Sequence, residues 1–106
     1  MRKIKIKSWK AKLDKDTEID EDLLSALNVL LGNKKPEDIP RGMDKMRLFG
    51  RIRKAFEKAD ETKELVLEES EYEFLKSAVE KEVPATWGMN ENLSKALEQF
   101  LEAKQE

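Results

Sequence analysis

Cysteine and histidine are both missing from this chain. Without thiols there are no disulfides, no thiolate nucleophile and no sulfur ligands for zinc. Without imidazole the commonest base at neutral pH and the commonest metal ligand are gone too. Proline and glycine are scarce, at three and four residues; Pro36, Pro40 and Gly42 interrupt one stretch, Pro84 and Gly88 another. No apolar run approaches the roughly 20 residues needed to cross a bilayer, and the N-terminus lacks the apolar core of a secretory signal. A soluble, cytoplasmic chain with no membrane contact is the expectation.

What is abundant is charge. Of 106 residues, 42% are Asp, Glu, Lys or Arg and 39% are apolar. That length fits one domain with one core. Many Lys and Glu with no Cys is also the composition of proteins that work hot. The net charge of −2 conceals a division: residues 1–58 carry 16 Lys/Arg against 10 Asp/Glu, net +6, and residues 59–106 carry 5 against 13, net −8. Such asymmetry suits intramolecular pairing of the halves, head-to-tail self-association, or separate basic and acidic faces for different partners.

The stretch from Met43 to Ala59 organises the rest. Met46, Phe49, Ile52, Phe56 and Ala59 recur at spacings of three and four, with Leu48 and Ala55 beside them, and so form the apolar stripe of an amphipathic helix. Asp44 is placed to be its N-cap. Away from the stripe stand Lys45, Arg47, Arg51, Arg53, Lys54 and Lys58, offset inside the helix only by Glu57, and positions 47, 51, 54 and 58 align on one face. Lys34, Lys35 and Arg41 in the preceding loop extend this basic surface. Either it is a solvated face answered by acidic residues elsewhere in the chain, or it docks a phosphate backbone or an acidic protein.

Before it, Arg2 to Leu13 alternates apolar and basic residues, the period-two pattern of a strand with one wet face. Ile4 and Ile6 share one side, Trp9, Ala11 and Leu13 the other, so the parity change near Ser8 predicts a bulge or a second strand starting at Trp9. Lys3, Lys5 and Lys7 point outward, as edge protection or as a binding row. DKDTEID reads as a polar connection ending in an Asp20 N-cap. A helix follows over about Glu21 to Leu31, with Leu23, Leu24, Leu27, Leu30 and Leu31 inward, Glu21 and Asp22 in its first turn and Gly32 as a left-handed stop. Ile39, in the long loop, is expected to tuck into the core.

After the basic helix, DETK predicts a turn and ELVLEE a strand with Leu65 and Leu67 on one side and Val66 on the other. Ser70 and Glu73 suggest a capping box opening a helix to about Glu82, with Tyr72, Leu75, Ala78 and Val79 inward and Phe74 on the flank. PATWGM is a compact loop whose Trp87 plugs the core. The last helix, about Asn90 to Ala103, presents Leu93, Ala96, Leu97, Phe100 and Leu101, and AKQE is expected to fray.

The two halves align as strand, helix, proline loop, Gly-Met-Asx, helix, with Gly42-Met43-Asp44 matching Gly88-Met89-Asn90. This is either a duplicated β-α-α unit with its two strands paired near the middle, or the generic look of helix N-termini. The expected fold is α+β and mostly helical: four helices with a small two- or three-stranded sheet. The alternative is an all-α bundle with a basic arm.

Phosphate-binding and EF-hand motifs are absent, the serines have no imidazole partner, and the carboxylates fall on predicted outer faces. The reading is a non-enzymatic protein with no cofactor, no metal and no small-molecule substrate. The KIKIKSWK start, the RLFGRIRKAFEKA helix, ELVLEESEYEFLK and the PATWGMN loop together resemble small uncharacterised proteins of tailed phages and prophages. The resemblance implies a viral accessory or assembly role in the host cytoplasm and carries no site residue with it. A protein partner or self-association leads, and nucleic-acid binding through residues 43–59 and the basic strand is the alternative.

Overall fold

The structure, a computed structural model, describes residues 1–12 and 15–104. Leu13 and Asp14, and Gln105 and Glu106 of the expected frayed tail, lie outside the described residues. The elements are β1 (Arg2–Lys5), β2 (Trp9–Lys12), β3 (Glu18–Glu21), α1 (Leu23–Gly32), α2 (Met43–Thr62), β4 (Glu64–Leu67), α3 (Glu69–Glu82) and α4 (Glu91–Leu101), with 3-10 turns at Pro36–Asp38 and Ala85–Met89. The fold is α+β and mostly helical, as composition and periodicity indicate.

The parity change at Ser8 separates two sheets. β1 pairs antiparallel with β4, Ile4 opposite Leu65, and the Ile6 amide extends the ladder to the Lys63 carbonyl at 2.9 Å. Ile4, Ile6, Leu65 and Leu67 face the core, while Lys3, Lys5 and Lys7 face out. β2 pairs instead with β3, and Trp9, opposite Glu21, donates its indole N–H to that carboxylate at 3.2 Å.

β3 corrects the polar-connection reading. Only Ile19 in EIDE is apolar, and it is half-buried beside Ala11; a hairpin this wet leaves little alternation to read. Asp20 sits in that strand with Lys10 at 2.7 Å, so Asp22 caps α1 instead, accepting from the Ser25 amide at 2.9 Å. Glu21 and Asp22 accordingly precede the first turn. Gly32 is the last helical residue, with no left-handed backbone. Extended backbone at Lys35, imposed by Pro36, prevents the helix from continuing.

α2 starts from Gly42, whose φ of 107° suits glycine, and Asp44 is exposed and does not cap. The helix also runs past Ala59, which is fully buried and anchors the last turns, to Thr62. The expected DETK turn shrinks to Lys63, left-handed at φ 61°, with its amide on the Ala59 carbonyl at 2.7 Å. A left-handed lysine costs about 1–2 kcal/mol, whereas glycine brings a larger unfolded-state entropy of about 0.5–1 kcal/mol. Lys63→Gly should therefore raise stability by roughly 0.5–1 kcal/mol, read as a higher denaturant midpoint at unchanged slope.

α3 is the hub, packing on α1, α2, α4 and β4. Tyr72, Leu75, Ala78 and Val79 are buried as their spacing requires, and Phe74 lies on the flank. The capping box does not form: α3 begins two residues early, behind Glu68, and the Ser70 hydroxyl donates to Glu71 at 2.8 Å. Glu69 sets that start because Arg2 grips it with two N–H groups, at 2.7 and 3.2 Å. The same guanidinium donates to the Ala103 carbonyl and lies 4.5 Å over the Tyr72 ring. Ala103, expected to fray, is thus tied down. Asn90 caps α4, accepting from the Leu93 amide at 3.1 Å, and Trp87 is half-buried against the core.

The Arg2 hydrogen bonds hold the Glu69 carboxyl below its ordinary value of 4.5 and raise the Arg2 guanidinium further above its own. A carboxylate whose folded-state pKa is depressed stabilises the fold above the unfolded value, and that contribution is lost as pH falls through the folded one. Wild type should outlast Glu69→Gln in thermal melts at pH 7 and lose that lead well below pH 4.5.

The order β1-α1-α2, β4-α3-α4 is that of a duplicated unit with a hairpin inserted in its first half, and the two strands do pair. The tripeptides are not equivalent, however: Gly42 precedes α2 and Asp44 does not cap, whereas Gly88 lies in a 3-10 turn and Asn90 does.

Candidate interaction groove

α1 and α2 both pack on α3 without packing closely on each other. The space between them is an open groove of about 1130 Å³. α1 contributes Leu24 and Leu31 with Ser25 and Asn28; α2 contributes Met46, Phe49, Gly50, Ile52 and Phe56. Leu24, Ile52 and Phe56 are core residues whose outer edges form the floor. Phe49 is half-buried and steadied edge-on by Phe74 at 5.1 Å.

Charge on the walls changes sign along α2. Arg47, Arg51, Arg53 and Lys54 border the first part, and Glu57 and Asp60, with Asp22 from before α1, border the rest. Arg51 approaches the buried Glu71 of α3 at 3.9 Å, Arg47 lies 3.8 Å from Asp44, and Arg53 pairs with Glu57 at 3.0 Å. All four of these cations are exposed. The Arg47 and Arg53 pairs, exposed at both ends, are worth little and exchange readily for a better partner, whereas the partner of Arg51 is a buried carboxylate. Lys54 and Lys58 make no ion pair among the described residues.

The eight basic candidates thus divide. Arg47, Arg51, Arg53 and Lys54 stand together on the groove; Lys58 is exposed but beyond its lining, and Lys35 is exposed in the loop. Arg41 borders an adjoining hollow of about 690 Å³ formed with Ile39, Met43, Lys45, Met46 and Phe49. Lys34 turns away: its side chain is 8% exposed, holds Glu82 at 2.7 Å and lies 5.5 Å from the Phe74 ring centroid. With Arg2–Glu69 and Arg51–Glu71, this contact joins the basic first half to acidic α3, so part of the charge division is answered within the chain.

Two apolar residues depart from expectation: Ile39 is 45% exposed rather than buried, and Met46, placed in the apolar stripe, is 59% exposed; Met43, which borders the same hollow, is 55% exposed. The 3-10 turn at Pro36–Asp38 keeps Ile39 on the surface, and Met46 lies two residues before Leu48, the first buried residue of α2, where the helix has outrun the core. Gly50, inside α2, also lines the groove. A Cβ built there meets nothing within 4 Å, so no neighbour within the fold demands glycine. A glycine inside a helix of this length is itself the signal.

Among the described residues, no group of three or more metal-ligating side chains is gathered, and no helix is long and apolar enough to cross a membrane. No family model matches the sequence, and comparison with curated proteins and with solved structures gives no significant match.

Proposed function

We propose that this chain is a non-enzymatic interaction module that receives a protein partner along the α1–α2 groove, as an accessory or assembly component of the phage or prophage kind its sequence resembles. The observation that carries this reading is the open apolar floor between two helices that share α3 but not each other. Continuous with it lie Ile39, Met43 and Met46, apolar side chains left in water on one side of the molecule. Exposed apolar surface rimmed by charge is the usual composition of a protein-docking patch.

The cations alone would also suit a phosphate backbone. Against that use, Glu57 and Asp60 border the same groove, and a polyphosphate would leave the apolar floor wet. Light scattering after size exclusion, with and without a mixed-sequence DNA duplex at low and moderate salt, separates the two. The interaction reading expects an unchanged mass with DNA at moderate salt. A DNA-dependent shift that disappears in high salt and in Arg47→Glu/Arg51→Glu would replace it with nucleic-acid binding.

A further inference from the structure

We propose that the partner segment is an amphipathic helix of about four turns whose apolar ridge lies in the α1–α2 groove and whose flank carries Asp or Glu over Arg47, Arg51 and Lys54; this rests on the interaction reading above. The groove is lined by α2 from Met46 to Asp60, about 21 Å at 1.5 Å per residue, the length of a four-turn helix. A groove between two helices, open along its length and apolar at its base, accepts a third helix by ridge-into-groove packing.

Gly50 adds an independent indication. Glycine in a helix interior costs about 1 kcal/mol relative to alanine, and at this position nothing in the fold would oppose a Cβ. The cost has an explanation if another chain fills the space above it. The missing side chain is a notch in which a partner's ridge residue can reach the α2 backbone, and the neighbouring Met46 can adapt its shape to that residue.

The charges select the flank. Arg47, Arg51 and Lys54 repeat at four and three residues, so they form one row beside the floor; an acidic row on the partner would replace the weak exposed pair that Arg47 makes now, reach Lys54, and add a carboxylate to the exposed side of Arg51 while that residue keeps its 3.9 Å approach to the buried Glu71. Glu57 and Asp60 reverse the sign at the far end, which favours a basic residue there and fixes the direction of the bound helix. Among the described residues, a second copy of this chain offers no such segment. Its acidic helices α3 and α4 already commit Tyr72, Leu75, Val79, Leu93, Leu97 and Phe100 to the core.

The test is display selection of random 16-residue peptides on the intact chain, followed by anisotropy titration of the enriched sequences. The expected peptides carry apolar residues at i, i+3 or i+4, and i+7, with Asp or Glu along one flank. Their affinity should fall by about tenfold or more in Arg47→Glu/Arg51→Glu and in Gly50→Gln. Gly50→Ala provides a second reading: it should raise the melting temperature of the free chain while weakening peptide binding. Enriched peptides that lose affinity in Gly50→Gln but are neutral, basic or extended would overturn the acidic-helix proposal and leave the groove as the docking site. Peptides unaffected by every groove variant, or no enrichment, would overturn the groove reading as well.

Discussion

Phe100→Ala should lower the free energy of unfolding by about 3–5 kcal/mol, a third or more of what a domain of this size usually has. Phe100 is fully buried, and its ring centroid lies 5.1 Å from that of Tyr72. It is the last buried residue of α4, so truncation opens a cavity between α4 and α3 where the C-terminal helix is held. The surroundings cannot collapse into that space easily, because the Phe100 carbonyl is itself fixed by the Tyr72 hydroxyl at 2.8 Å. Urea titration followed by far-ultraviolet circular dichroism measures the loss as a lower midpoint. A change under 1 kcal/mol would show that α4 adds little to the cooperative unit.

Tyr72→Ala should be about as damaging, at roughly 3–5 kcal/mol, but for a composite reason that Tyr72→Phe can separate. The Tyr72 hydroxyl is buried and faces the Phe100 and Leu101 carbonyls, at 2.8 and 3.1 Å. These belong to the last turn of a helix, where carbonyls have no partner within the helix. Burial pushes the phenol above its ordinary value of 10, partly opposed by Arg2, so it remains a neutral donor throughout the physiological range. Tyr72→Phe removes that donor and should cost about 1–3 kcal/mol. Alanine also removes the ring on which Phe100 packs and over which Arg2 lies. Because Tyr72 and Phe100 share one cavity, the double alanine variant should lose less than the two single losses combined. Simple additivity would mean that the ring contact contributes nothing of its own.

Residues that bury a periodic face were legible from sequence; residues whose placement depends on a distant partner were not. The stripes of α1, α3 and α4 and the in-out alternation of β4 follow from side-chain spacing, because burial imposes the period. Caps were less legible. Asp20, Asp44 and Ser70 all carry capping side chains, yet strand pairing with Lys10, the left-handed Gly42 and the grip of Arg2 on Glu69 each moved a helix start away from them. The surface was read partly. The α2 cations are exposed as expected, but nothing local reveals that Lys34 reaches across to Glu82, or that Met46 lies outside the core while Ile52 lies in it. The groove itself is a gap between two helices, and no short-range pattern encodes a gap. Gly50 was its one trace in the sequence.

The pairing of β1 with β4 has a consequence for the chain as it is made. During synthesis the first strand must wait while about sixty more residues are added, roughly 3–12 s at ordinary elongation rates. Through that interval Ile4 and Ile6 have no sheet partner, and a short apolar strand of this kind is what nascent chains on neighbouring ribosomes would join. Lys3, Lys5 and Lys7 stand between and beside those isoleucines, so two such strands meeting too early would bring like charges together. In the finished molecule the three lysines lie on the outer face of a small sheet; in the unfinished one their like charges oppose pairing between copies of the strand until its own β4 emerges.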